Sequence, residues 1–154
     1  MKMKATERLR ELGLELPKDP EGGGLYAQVK TAGDLIFVAG CGPTLDAVQK
    51  HKGVVGREVS VEQGRECARD CVLNILASVR DAGINIDEIK SFLKMTVYVA
   101  CVPGFQGSPK VANGATELLK ELYGEEKGLP VRTAVGVNSL TDDFPVEIDV
   151  ILKK

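Results

Sequence analysis

The sequence has no tryptophan and one histidine, and aromatic residues make up only 5% of it. Scarce aromatics leave little on which exposed bases could stack, and a formal net charge of -2 gives no attraction for phosphate backbones. Both shortages argue against nucleic acid as a partner. The single histidine, His51, sits between Lys50 and Lys52 in a stretch that reads as a solvated loop, and no Gly-x-Ser-x-Gly elbow is present. A serine triad is therefore not expected. The four cysteines, Cys41, Cys67, Cys71 and Cys101, lack the close pairing of a zinc site. Cys67 and Cys71 stand four apart on a predicted helix and read as small buried hydrophobes rather than a redox pair. Cys41 has no basic neighbour in sequence to lower its thiol pKa and is a poor candidate nucleophile. No stretch approaches the ~20 apolar residues of a membrane span, and none of signal-peptide length follows the first lysines. The expectation is a cytoplasmic protein without membrane contact.

What is present is the composition of one ordinary globular domain over residues 1–154, 44% hydrophobic and 27% charged. Residues 5–13 place Leu9 and Leu12 on one side of a short helix that Gly13 can cap, a helical extension at about 4–13. The loop Asp19-Pro20-Glu21-Gly22-Gly23-Gly24 follows. Residues 25–30 and 34–40 then read as a hairpin about the turn Thr31-Ala32-Gly33.

Ser60-Val61-Glu62-Gln63 is a capping box before Ala68, Cys71, Val72, Ile75, Leu76 and Val79 at helical spacing, with Gly83 as the stop. Residues 92–100 set Leu93, Met95, Val97 and Val99 against Lys94, Thr96 and Tyr98, the alternation of a strand with one core face. Ser108-Pro109 supplies an N-cap and a first-turn proline for a second helix closed by Gly124. Strands at 131–137 and 145–152 complete the pattern, with Arg132 and Glu147 on the faces opposite their apolar sets. The whole predicts an α+β fold, a single mixed sheet with two main helices packed on one face. Strand 34–40 is apolar on both sides, so its second face is expected to be buried by subunit association.

Few residues could carry chemistry. Arg132 follows a proline-fixed strand entry in Leu129-Pro130-Val131-Arg132-Thr133-Ala134, and a guanidinium fork there could grip a small carboxylate by two parallel hydrogen bonds. The plainer reading is a solvated or subunit-bridging arginine. Glu147, between Val146 and Ile148, could hold a water or pass protons if partly buried, or could simply face solvent. Tyr26 could offer its phenol to a ligand or merely pack its ring. Gly40-Cys41-Gly42-Pro43 ends a strand with backbone open to a ligand's approach, or is a plain turn.

Together these segments resemble the YjgF/RidA family of reactive-intermediate deaminases, which also includes proteins labelled endoribonuclease L-PSP. Gly24-Leu25-Tyr26-Ala27-Gln28 is similar to the family's Gly-Pro-Tyr-Ser-Gln, and Ile36-Phe37-Val38-Ala39-Gly40 to its strand ending in Ser-Gly-Gln. Thr96-Val97-Tyr98-Val99 also fits. The most specific stretch is Pro130-Val131-Arg132-Thr133 followed by Val146-Glu147-Ile148, similar to Pro-Ala-Arg-Ser and the closing Glu strand at the same separation.

The resemblance implies a chorismate-mutase-like fold and a homotrimer with ligand pockets between subunits, working without metal or cofactor. It gives Arg132 the role of clamping a substrate carboxylate and Glu147 that of positioning the attacking water. Tyr26 would line the pocket, Gly40 would offer backbone, and Ala134 would offer a carbonyl where the family often carries cysteine. Two further departures are Ala39-Gly40-Cys41 in place of Ser-Gly-Gln and a longer stretch from Phe105 to Asn113. The implied activity is hydrolytic deamination of 2-imino or 2-enamino acids to ammonia and a 2-oxo acid. A non-catalytic trimeric binder of small metabolite carboxylates is the alternative, and an endoribonuclease or translation inhibitor is disfavoured by the charge balance.

Overall fold

A computed structural model of the chain describes residues 3–20 and 24–154. Helix α1 (Ala5–Glu11) is followed by strands β1 (Val29–Ala32) and β2 (Leu35–Cys41), helix α2 (Val61–Asp81) and strand β3 (Ser91–Ala100). Helix α3 (Ser108–Gly128) and strands β4 (Val131–Val137) and β5 (Val146–Lys153) complete the order. The five strands form one mixed sheet in the order β1-β2-β5-β3-β4, antiparallel except for the parallel pair β3 and β4. The α+β arrangement with both main helices on one face is as the sequence predicts: α2 packs over β2 and β5, and α3 over β3 and β4. Among the described residues no helix is long and apolar enough to cross a membrane.

Local chemistry explains the boundaries. The Ser60 hydroxyl accepts from Gln63 N at 3.1 Å while Gln63 Oε1 accepts from Ser60 N at 2.9 Å, so the capping box satisfies two otherwise orphaned donors. Gly13 and Gly83 take left-handed φ of 68° and 81° just past the ends of α1 and α2. Helix α2 is the centre of the core: Leu73, Ile75 and Leu76 are fully buried, each burial contributing about 1.5–3 kcal/mol. Cys67 and Cys71 are buried on the same helix, as small hydrophobes. Helix α1 docks by a double contact of Thr6, whose N and Oγ1 donate to Asp87 Oδ1 and Oδ2 at 2.9 and 2.8 Å.

Several expectations need correction. The first strand begins at Val29 rather than residue 25, and the turn is Gly33-Asp34, because Thr31 and Ala32 pair with Ile36 and Leu35. A two-residue turn with positive φ at its first position preserves strand twist, so the ladder runs on to its edge. In β3 a bulge between Phe92 and Lys94 reverses the alternation at the strand's start, burying Phe92 and turning Leu93 outward. Gly107, not Ser108, caps α3, with no side-chain bond; Gly124 does break the helix, at φ 80°, but one more helical stretch reaches Gly128. Glu21, Gly22 and Gly23 of the expected loop lie outside the described residues. On the helix-free face of the sheet, Phe37 is 40% and Val131 69% exposed.

Candidate functional site

The site grows from an irregularity in β2. Val38 pairs with Val150 and Cys41 with Ile148, so two residues, Ala39 and Gly40, oppose one on β5. A bulge of this kind leaves main-chain groups outside the ladder and bends the strand, here beside Glu147. Gly40 lets the Glu147 carboxyl sit against the backbone at that point, since a Cβ there would overlap Oε1 and push the side chain away. Gly42 is required two residues on, where a Cβ would enter the ring of Phe144. The result is a cleft of about 150 Å³ whose lining includes Tyr26, Gly40, Thr44, Asn74, Phe144 and Glu147.

Asn74, on α2, ties the floor together. Its Nδ2 donates to the carbonyls of Gly42 at 2.9 Å and Thr44 at 2.6 Å, so the loop after the bulge hangs from a buried helix. Glu147 lies across from Tyr98 of β3, on the helix-free face. Burial raises its carboxyl pKa above the usual carboxylate range, and the nearby charge of Asp149 adds to the effect. Such a group holds a proton more readily than a surface glutamate, the property wanted in an acid and base acting near neutral pH. Cys41 also lines the cleft, but burial pushes its thiol up to about 12, which removes it as a nucleophile.

Arg132 is elsewhere. It pairs with the buried Met95 across β3 and β4, on the helix side of the sheet, and its guanidinium reaches α3. Nη1 donates to Asn113 Oδ1 at 2.8 Å and Thr116 Oγ1 at 3.1 Å, and Nη2 to the Pro109 carbonyl at 3.4 Å. All three acceptors are uncharged, and partial burial alone lowers the pKa of the guanidinium. Ala134, on the same side of β4, packs against the core and does not line the cleft.

One chain thus brings together Tyr26, Gly40 and Glu147 but holds Arg132 and Ala134 apart from them. The apolar residues of β4 explain the misplaced face: Val135 lies beside Tyr98 on the helix-free side, so this edge strand's valines are not its core set. His51 makes a surface contact, Nε2 to Glu66 Oε2 at 2.9 Å. No group of three or more His, Cys, Asp or Glu side chains among the described residues could hold a metal ion.

Sequence reasoning missed Asn74, Thr44, Phe144 and Asp142 in the cleft, and Asn113 and Thr116 around Arg132. Only the polar Asn74 within the apolar run of α2 carried a visible signal.

Residues 17–153 match the family model described as Endoribonuclease L-PSP. The chain is 31% identical over 150 residues to Protein TCP17 of Trypanosoma cruzi, covering 97% of this chain and 94% of that protein. It is 29% identical over 137 residues to a RutC family protein of Pyrococcus abyssi, covering 89% and 92%. The crystal structure of Atu1372 from Agrobacterium tumefaciens, a protein of unknown function, superposes with a TM-score of 0.88 at 35% identity over 97% of this chain and 91% of that one. With the bulge-built cleft and the strand-edge arginine carried on the same fold as these relatives, the chain belongs to the Endoribonuclease L-PSP family, also called YjgF/RidA.

Proposed function

We propose that this protein is a hydrolytic deaminase of 2-imino and 2-enamino acids, working as a homotrimer in which one copy's cleft is completed by the Arg132 of the next. The observation that carries the reading is the Glu147 carboxyl seated against the bulged backbone at Gly40 in a cleft, its proton affinity raised by burial. The helix-free sheet face, with Phe37 and Val131 exposed, is the surface that association would cover.

In this scheme Arg132 exchanges its neutral partners for the substrate carboxylate and fixes the imine carbon over the cleft. Gripping a charged group by a planar fork favours the swap. An enamine first tautomerises to the imine, its β-carbon gaining a proton as its nitrogen loses one. Glu147 then accepts a proton from water as the oxygen bonds to the imine carbon. It returns that proton to nitrogen to give the carbinolamine, then takes the hydroxyl proton and passes it to the amine as the carbonyl forms and the carbon–nitrogen bond breaks, releasing ammonia and a 2-oxo acid. Imines hydrolyse readily in water, so orientation and one proton path supply most of what is needed.

The test is imine hydrolysis, the imine generated in situ by an amino-acid oxidase and its decay followed with and without the protein. Faster decay in proportion to added protein supports the reading. Unchanged decay alongside binding of a 2-oxo acid would instead favour a carboxylate-binding trimer without catalysis, a role consistent with Ala134 standing where the family often has cysteine.

A further inference from the structure

We infer that the cleft selects substrates whose side chain ends in a hydrogen-bond donor, a cationic one above all, over substrates with aliphatic or acidic side chains. The inference rests on the deaminase reading for its chemistry, but concerns the part of the ligand remote from the reacting carbon.

Around Glu147 the polar lining consists of Tyr26, Thr44, Asn74, Thr141 and Asp142, and among the described residues no Lys, Arg or His lines the cleft. The lining therefore holds two acidic residues, Glu147 and Asp142, and no cation of its own. Asn74 makes this specific. Its side chain is 95% buried, the exposed remainder being 5%, and both amide hydrogens are already given to Gly42 and Thr44 carbonyls. That fixes the amide's orientation and leaves Oδ1 as an acceptor with no donor. With no donor to offset it, the partial negative charge of this buried oxygen adds to the cleft's preference for a positive ligand.

Asp142 extends the same character outward. Its carbonyl accepts from Gln49 Nε2 at 3.2 Å, and its neighbours are pinned by Gly53 N to the Asp143 carbonyl at 2.9 Å and Phe144 N to the Thr141 carbonyl at 3.0 Å. The residue is thus held by main-chain contacts where the cleft continues into an outer recess that Thr44, Asp142 and Phe144 share. Lys52 lines that recess too, without an ion pair to Asp142 among the described residues. A side chain long enough to pass Thr44 would bring its terminal donor to the Asp142 carboxylate. An aliphatic end would desolvate the Asp142 carboxylate without repaying it, and an acidic end would meet like charge.

The experiment compares three imines, generated from arginine, leucine and glutamate, with the matching 2-oxo acids titrated calorimetrically. Expected is a kcat/KM order of guanidinium, isobutyl, carboxylate, with roughly tenfold or more between the first two and the same order in binding. Asp142→Asn, which tolerates the left-handed φ of 52° at this position, should cut the guanidinium advantage over the leucine-derived imine by about tenfold, in kcat/KM and in binding alike. Turnover of all three imines at equal rates, or a leucine preference, would overturn the inference while leaving the deaminase reading intact. So would an Asp142→Asn variant with unaltered preference. No turnover of any imine, but 2-oxo acids bound in the expected order, would overturn the deaminase reading and keep the selectivity. No turnover and no preference in binding would overturn both.

Discussion

The cleft at Glu147 and the anchor at Arg132 are built in opposite ways. The cleft's walls come from one chain: a bulge, two glycines whose missing Cβ atoms make room for Glu147 and Phe144, and an asparagine that suspends the loop. Arg132 stands on an edge strand, on the other side of the sheet, held by a side-chain amide, a hydroxyl and a carbonyl. A group parked on neutral acceptors keeps its charge available for a carboxylate, whereas one paired with Asp or Glu would have to be released first. The difference teaches that, in the proposed scheme, the half that would handle the proton is preorganised and the half that would grip the carboxylate is held in reserve.

Changes that act on one half only should separate these roles. The largest effect is expected for Glu147→Gln, which keeps shape but cannot take a proton. Steady-state kinetics should show kcat lower by on the order of 10²-fold or more, with a much smaller change in 2-oxo acid affinity. Equal losses in both would mean that Glu147 binds rather than catalyses. Arg132→Lys comes next. A point donor cannot reproduce the two-bond fork, so carboxylate affinity by calorimetric titration should fall by about tenfold or more, with the oligomeric state unchanged in sedimentation. A variant that binds like the parent would remove Arg132 as the anchor.

Both halves were only partly legible in the sequence, for physical reasons that particular residues make clear. The capping box at Ser60 and the stops at Gly13 and Gly83 act within a few residues of chain, and each forms as predicted. The bulge that buries Phe92 and exposes Leu93 breaks a period-2 pattern without any local residue announcing it. The face of Arg132 depends on α3 covering one side of β4, a tertiary fact that alternation of valines on an edge strand cannot reveal. Tyr26, Gly40 and Glu147 were visible through motif spacing and do share one cleft. Asn74 carried a signal, a polar residue within the apolar run of α2, but such a residue reads as part of an amphipathic helix's wet face until the fold buries it.

The smallest expected effect is on stability. Burial raises the folded-state pKa of Glu147, so protonation favours the folded form, and that contribution is present below the ordinary carboxylate pKa and lost as pH rises through the raised value. Glu147→Gln should therefore be at least as stable as the parent at roughly pH 7, with its relative advantage shrinking towards roughly pH 4. Denaturant midpoints for the two proteins across that range check the sign. A parent more stable than the variant at neutral pH would show the carboxylate to be a structural asset rather than a strained catalytic group.

The proposal that one copy's cleft uses another copy's arginine is tested most directly by mixing two inactive variants. Arg132→Ala and Glu147→Gln subunits, unfolded together and refolded in equal amounts, would form mixed trimers in which about a quarter of intersubunit sites pair an intact Glu147 with an intact Arg132. The account predicts that imine hydrolysis, absent from either variant alone, returns to about a quarter of the parent rate. Mixed trimers verified by mass spectrometry that stay inactive would contradict it.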